Sequence, residues 1–152
     1  MIKPPRPSNN VAAEPITLDT ARLHLRLDTE GSPPAHPDDS LVEALITAAR
    51  EAAESYTGLA IANQTYTLAL DAFPEKSIVL GKWPINAISS ITYKDADNAV
   101  QTLSSADYFL DNYARPGEVA LQPTKAWPPT AAVANAVVVT FTAGFTDDLS
   151  PD

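Results

Sequence analysis

The hydrophobic period of this chain changes once, at Gly58, and that change limits the fold more than any other feature. Before Gly58, the stretch Leu41–Gly58 (LVEALITAAREAAESYTG) repeats every three to four residues. No Gly or Pro interrupts it until Gly58, which is well placed as a helix stop. Asp38 can cap this helix, or Ser40 can, with Glu43 completing a Ser-x-x-Glu capping box. At about 100° per residue, Leu41, Leu45, Ala48, Ala52 and Tyr56 share a side, which Val42, Ile46, Ala49 and Ala53 widen to an apolar arc of roughly 160°. An arc that wide calls for more than one neighbour. The alanines would let those neighbours approach closely. The same periodicity predicts an earlier helix over 17–27, capped by Thr17, with Leu18, Ala21 and Leu25 on one face beside Leu23 and Leu27.

After Gly58 the period is two. Tyr66, Leu68 and Leu70 alternate with Thr65, Thr67 and Ala69, so a strand lies within 61–71. Further short strands are expected at 77–80, 85–94, 100–103, 108–111, 118–121 and 136–142. In 85–94 the spacing of Ile85, Ile88 and Ile91 breaks strict alternation, which a bulge would reconcile. Asp95-Ala-Asp-Asn98 is a turn signal, with 100–103 returning as a hairpin, and Arg115-Pro116-Gly117 joins a second hairpin. Two helices followed by about six short strands make an α+β fold with a mainly antiparallel sheet, not the alternation of a parallel one. Residues 1–15 carry Pro4, Pro5, Pro7 and Pro15 and read as an extended arm without a core of its own. A single domain is expected over 16–148, followed by a tail at 149–152.

Composition narrows the function. At 152 residues, 45% hydrophobic and 19% charged, the chain can bury a real core. No apolar run nears the ~20 residues that cross a bilayer, and MIKPPRPSNN lacks a signal peptide's apolar stretch, so a protein made in a cytoplasm, with no membrane partner, is expected. The absence of cysteine excludes disulfides, thiolate metal sites and a cysteine nucleophile. The net charge of −9 comes with no dense basic patch, so DNA near this chain would be repelled rather than gripped.

The search for chemistry is short. His24 lies between Leu23 and Leu25 on the first helix, and His36 in a proline-rich loop. Neither has a nucleophile motif, a His-Glu-x-x-His pattern or a Gly-rich phosphate loop nearby. They read as solvent-facing or packed histidines. Asp95-Ala-Asp97-Asn98 opens like a calcium loop, but Ala99 and Val100 stand where that loop needs Asp or Asn and Gly, so it reads as a turn. Glu51 and Glu54 read, with Arg50, as a solvated and partly paired face, since Arg50–Glu54 has i,i+4 spacing. Trp83 and Trp127 each precede a proline and read as caps on a sheet edge. They also leave open a stand-alone peptide- or glycan-binding module that uses an aromatic-bearing sheet. No enzyme, cofactor or metal site is expected.

The order of segments resembles the head–tail connector, or adaptor, proteins of tailed bacteriophages and of related gene transfer particles. The resemblance runs through ITLDTARLHLRLD (16–28), DDSLVEALITAAREAAESYTGLAI (38–61), QTYTLALDAFP (64–74) and IVLGKWPINAISSITYKDAD (78–97). It continues through DYFLDN (107–112), the Trp127-Pro pair and VVVTFTAGF (137–145). It covers about 16–148, and the joint order of the pieces is more specific than any one of them. It implies a structural virion protein of the neck: a homo-oligomeric ring docked on the portal, extending the DNA channel and offering a surface to a stopper or tail-completion protein. It brings no catalytic residues. In such a ring Glu43, Arg50 and Glu54 are the expected subunit interface. Pro4, Pro5, Arg6 and Pro7, with Asp147, Asp148 and Leu149, are the expected partner-binding arms. Removing residues 1–15 is expected to weaken assembly on the portal more than it lowers the melting temperature. Relatives continue past an Asp-Asp-x-x-Pro-like opening into another helix; here Asp147-Asp148-Leu149-Ser150-Pro151 matches the opening, so the sequence is either a member without that helix or truncated before it.

Overall fold

The computed structural model describes residues 4–8, 11, 13–31 and 35–145. Asp147, Asp148 and Leu149 lie outside them. The elements run β1 (Arg6–Pro7), α1 (Leu18–Leu25), α2 (Asp39–Thr57), β2 (Gln64–Leu70), β3 (Ile78–Val79), β4 (Ile85–Lys94), β5 (Val100–Thr102), β6 (Tyr108–Asp111), β7 (Glu118–Leu121) and β8 (Val137–Ala143). This is an α+β fold: helices first, then two antiparallel sheets. The larger has the order β1-β2-β8-β4-β5 and the smaller β3-β7-β6.

β8 takes the centre of the large sheet because its alternation suits it to two partners. Val137, Val139, Phe141 and Ala143 point into the core, and the residues between them are half-buried. Its neighbour β2 buries Gln64, Tyr66, Leu68 and Leu70 on the same side. The spacing of Ile85, Ile88 and Ile91 is accommodated by two register shifts in β4 against β8, between Ile85 and Ala87 and between Ile88 and Ser90. Each shift moves the alternation by one residue, so Ile88, three positions from either neighbour, packs against the same core that buries Ile85 and Ile91. Ile78, Leu80 and Val119 from the small sheet and its flanks close the core into one cluster with β2, β4 and β8.

The helices stand outside that cluster. Thr17 caps α1 by accepting from the Thr20 N–H at 3.2 Å. The helix stops at Leu25, two residues before the 17–27 expectation, because Arg26 adopts φ 55 and the Leu27 N–H turns back to the Arg22 carbonyl at 3.0 Å. No glycine marks that stop in the sequence. α2 ends at Gly58 with φ 73, as its composition indicates. Its start differs from expectation. Asp38 occupies the cap without a side-chain bond, Ser40 lies inside the helix, and no capping box forms. Asp39 instead ties the preceding loop to the helix start by accepting from the His36 N–H at 2.8 Å.

The proline arm is part of the fold. Arg6 pairs with Thr67 and Pro7 with Tyr66, so β1 is the outermost strand of the large sheet. An edge is where a residue without an N–H is tolerated. Pro5 packs over Gly81, where an added Cβ would lie 3.2 Å from the proline ring.

Candidate functional site: an arm-braced helical layer

α2 faces the rest of the chain with its charges and not with its leucines. The side chains of Arg50 and Glu54 are only 5% and 7% exposed. The solvated arc expected for them is therefore wrong. The expected packing of the apolar arc fails for most of it: Val42 is buried and Ile46 half-buried, but Leu45 is 56% and Tyr56 93% exposed, and Leu41, Ala48 and Ala52 are exposed as well. Glu43 is exposed on α2, apart from the buried pair.

The reason is a polar cluster that spans three segments. Glu14 of the arm receives Arg50 Nε at 2.7 Å and Nη2 at 3.3 Å, a two-pronged contact, and Thr47 Oγ1 at 2.9 Å. Arg50 Nη1 donates to Glu54 Oε2 at 3.0 Å. The other oxygen of Glu54 accepts the N–H groups of Ile61 and Ala62 at 2.8 and 3.1 Å. Arg50 thus joins the arm to α2, and Glu54 joins α2 to the chain entering β2. Burial pushes the Glu14 carboxyl up, but the Arg50 and Thr47 hydrogen bonds and the Arg50 charge outweigh it, leaving its pKa below the ordinary 4.5. The Glu14 contact raises Arg50 further. Beneath the cluster, burial and the Glu54 charge push the Tyr66 hydroxyl up to about 12. Nothing in the sequence marks Glu14, which lies 36 positions from Arg50.

A second clamp sets α1 against α2. Arg22 donates Nε to Asp39 Oδ1 at 2.8 Å and Nη2 to Oδ2, while Nη1 holds Asp19 at 2.7 Å. The Arg22 hydrogen bonds, then the His36 N–H, bring Asp39 from 3.8 to about 2. A carboxyl with a lowered folded pKa adds stability that is present above its unfolded value and is lost as pH falls through the folded one. Asp39→Asn should therefore lower the thermal midpoint at pH 7, and the gap to the parent should close between about pH 4 and pH 2. Melting curves across that range check it, and a gap unchanged at pH 2 would contradict it.

Between the two clamps, α1 and α2 enclose an open groove of about 700 Å³. Its walls include Ala21, Leu25, Leu45 and Ala49, and the arm supplies Pro15 and Ile16. α1 buries none of its residues, and Leu23 is 81% exposed. An exposed apolar groove of this kind is a candidate interaction site.

The other candidate residues are occupied locally. His24 lines the groove, and His36 Nδ1 accepts from the Asp38 N–H at 3.1 Å. Asp95 Oδ1 receives the Asp97 and Ala99 N–H groups, so it holds the turn. Among the described residues no cluster of three or more His, Asp or Glu gathers as a metal site, and no helix is long and apolar enough to cross a membrane. Trp127 stacks on Phe73 at 4.8 Å and donates to the Lys76 carbonyl. Trp83 carries the Arg115 guanidinium 4.1 Å above its ring and Phe145 at its edge. Each ring thus already has a partner within the chain.

Comparison with known proteins gives the class to which this architecture belongs. Residues 15–116 match the model of the phage gp6-like head-tail connector family. The chain belongs to that family. Its structure is similar to a chain in the neck of an empty GTA particle computed with C6 symmetry, with 24% identity and a TM-score of 0.75, over 93% of this chain and 71% of that one. It is also similar to a chain of the virion of a native gene transfer agent particle, with 24% identity and a TM-score of 0.68 over the same shares. A third similar chain, from the neck of a native GTA particle computed with C12 symmetry, is 25% identical with a TM-score of 0.64, over 93% of this chain and 69% of that one. A search of curated proteins gave no significant match.

Proposed function

We propose that this chain is a ring-forming adaptor of the virion neck, docked on the portal, extending the DNA channel and presenting a surface to a stopper or tail-completion protein. The observation that carries the reading is the exposed apolar groove of the helical layer, on a fold similar to that of chains in necks computed with C6 and C12 symmetry. A surface of this kind finds its use when repeated copies cover it. The role is geometric and needs no catalytic group. Glu43 remains the exposed charged candidate for a subunit contact, and residues 4–7 and 147–149 the candidate arms. The net charge of −9 suits a channel along which DNA slides without sticking; a predominantly basic lumen in the assembled ring would count against that part.

The arm has a role inside its own subunit. Residues 1–15 contain β1 and Glu14, so their deletion removes an edge strand and strips Arg50 of a partner. We therefore expect the truncated chain to melt at lower temperature as well as to assemble poorly, a change from the expectation that assembly suffers more. Mixing the full chain with purified portal and inspecting it by electron microscopy tests the adaptor reading. An added ring on the portal supports it. Portals left bare at saturating chain would refute it.

A further inference from the structure

Copies related by rotation contact each other through two different surfaces, one offered to each neighbour. The groove supplies the first, and the strand register locates a second. α2 enters β2 at Gln64, which pairs with Ala143, and Ala143 also pairs with Ile85. That end of the large sheet carries the helical layer. β8 extends about 20 Å to the other end, where Val137 pairs with Leu70 and Tyr93.

Two exposed valines lie on segments tied to that end through Lys94. Val100 pairs with Lys94 in the β4–β5 hairpin. The Lys94 carbonyl accepts the Ala131 N–H at 3.0 Å, its own N–H donates to Ala136 at 2.8 Å, and these bonds hold the loop bearing Val133 beside the hairpin. Val100 is 68% and Val133 39% exposed. Asp95 braces the hairpin turn by receiving the Asp97 and Ala99 N–H groups and the Gln101 amide. Such preorganisation lowers the cost of binding.

We propose that the α1–α2 groove of one copy receives the Val100 and Val133 end of the next copy. A concave apolar surface and a hairpin end that offers two exposed valines among polar residues, at opposite ends of one sheet, make a head-to-tail contact, the kind that closes into a ring when the rotation allows. The proposal rests on the ring-forming reading and adds which surfaces meet. It also gives the arm a purpose: Glu14, bound to Arg50, sets Pro15 and Ile16 in place as a wall of the groove.

The cysteine-free chain allows a direct test. Leu45→Cys, at an exposed position, is labelled with a maleimide photo-crosslinker and mixed with isotope-labelled unmodified chain on portals. Rings are verified by microscopy, irradiated, and the crosslinked peptides mapped by mass spectrometry. The expected partner is a peptide of the isotope-labelled copy from 94–102 or 131–135. That crosslink should be lost, together with the rings, when the isotope-labelled copy carries Val100→Asp and Val133→Asp. Capture of α1 or α2 of another copy, of another surface of that copy, or of the portal would overturn the pairing while the rings themselves stand. Absence of rings with the unmodified chain would overturn the ring reading as well.

Discussion

Arg50→Ala is expected to lower the thermal midpoint by roughly 10 °C, because removing one partner of a buried pair costs about 3–5 kcal/mol and each kcal/mol shifts a domain of this size by about 2–4 °C. The change leaves Glu54 without its cation beside the Ile61 and Ala62 amides and releases the two-pronged hold on Glu14. Part of the cost is the uncompensated charge. Glu54→Gln in the Arg50→Ala background should therefore recover some of the loss, since an amide oxygen can still accept one or both N–H groups. Calorimetry of the two variants and the parent checks this. A shift under about 2 °C would mean that the cluster behaves as a surface ion pair, which contributes at most about 1 kcal/mol.

Gly144→Ala should be of similar severity for a different reason. Gly144 ends β8 at φ +129, and a Cβ there would meet the Ala62 carbonyl oxygen at 2.3 Å and Asn63 Cα at 2.5 Å. Those are backbone atoms, which do not swing aside as a flexible side chain does. The Gly144 N–H also donates to Pro84 and its carbonyl accepts from Asn86, so the residue is fixed on both sides. A strained backbone conformation and a clash together should cost about 3 kcal/mol or more. Gly58→Ala is the control. Gly58 has φ +73 but nothing within 4 Å of an added Cβ, so only the conformational cost of about 1 kcal/mol remains. Equal losses in the two variants would show that the close approach to 62–63 contributes nothing.

Local order was readable wherever periodicity carried it. The bounds of α2 followed from its uninterrupted repeat and Gly58, and the displaced isoleucines of β4 announced its register shifts. Three features were not readable, each for a physical reason. β1 contains a proline, so no strand pattern marks it; it exists because β2 presents an edge. α1 stops through a left-handed arginine, which composition does not flag. The third is the orientation of α2. The rule that an apolar arc faces inward assumes that nothing polar can be satisfied beneath the helix. Here Glu14 and two backbone N–H groups satisfy Arg50 and Glu54, so that pair goes in and the leucines stay exposed. The candidate site was visible as a pattern, but its direction depended on a carboxylate distant in sequence.

We place this chain in the virion neck. A cryo-electron microscopy reconstruction of the neck of particles that carry this chain tests it most directly. We predict a ring of copies between portal and tail, each fitted by this fold, with the helical-layer groove of every copy filled by its neighbour. Neck density accounted for by other proteins, with this chain absent from it, would contradict the account.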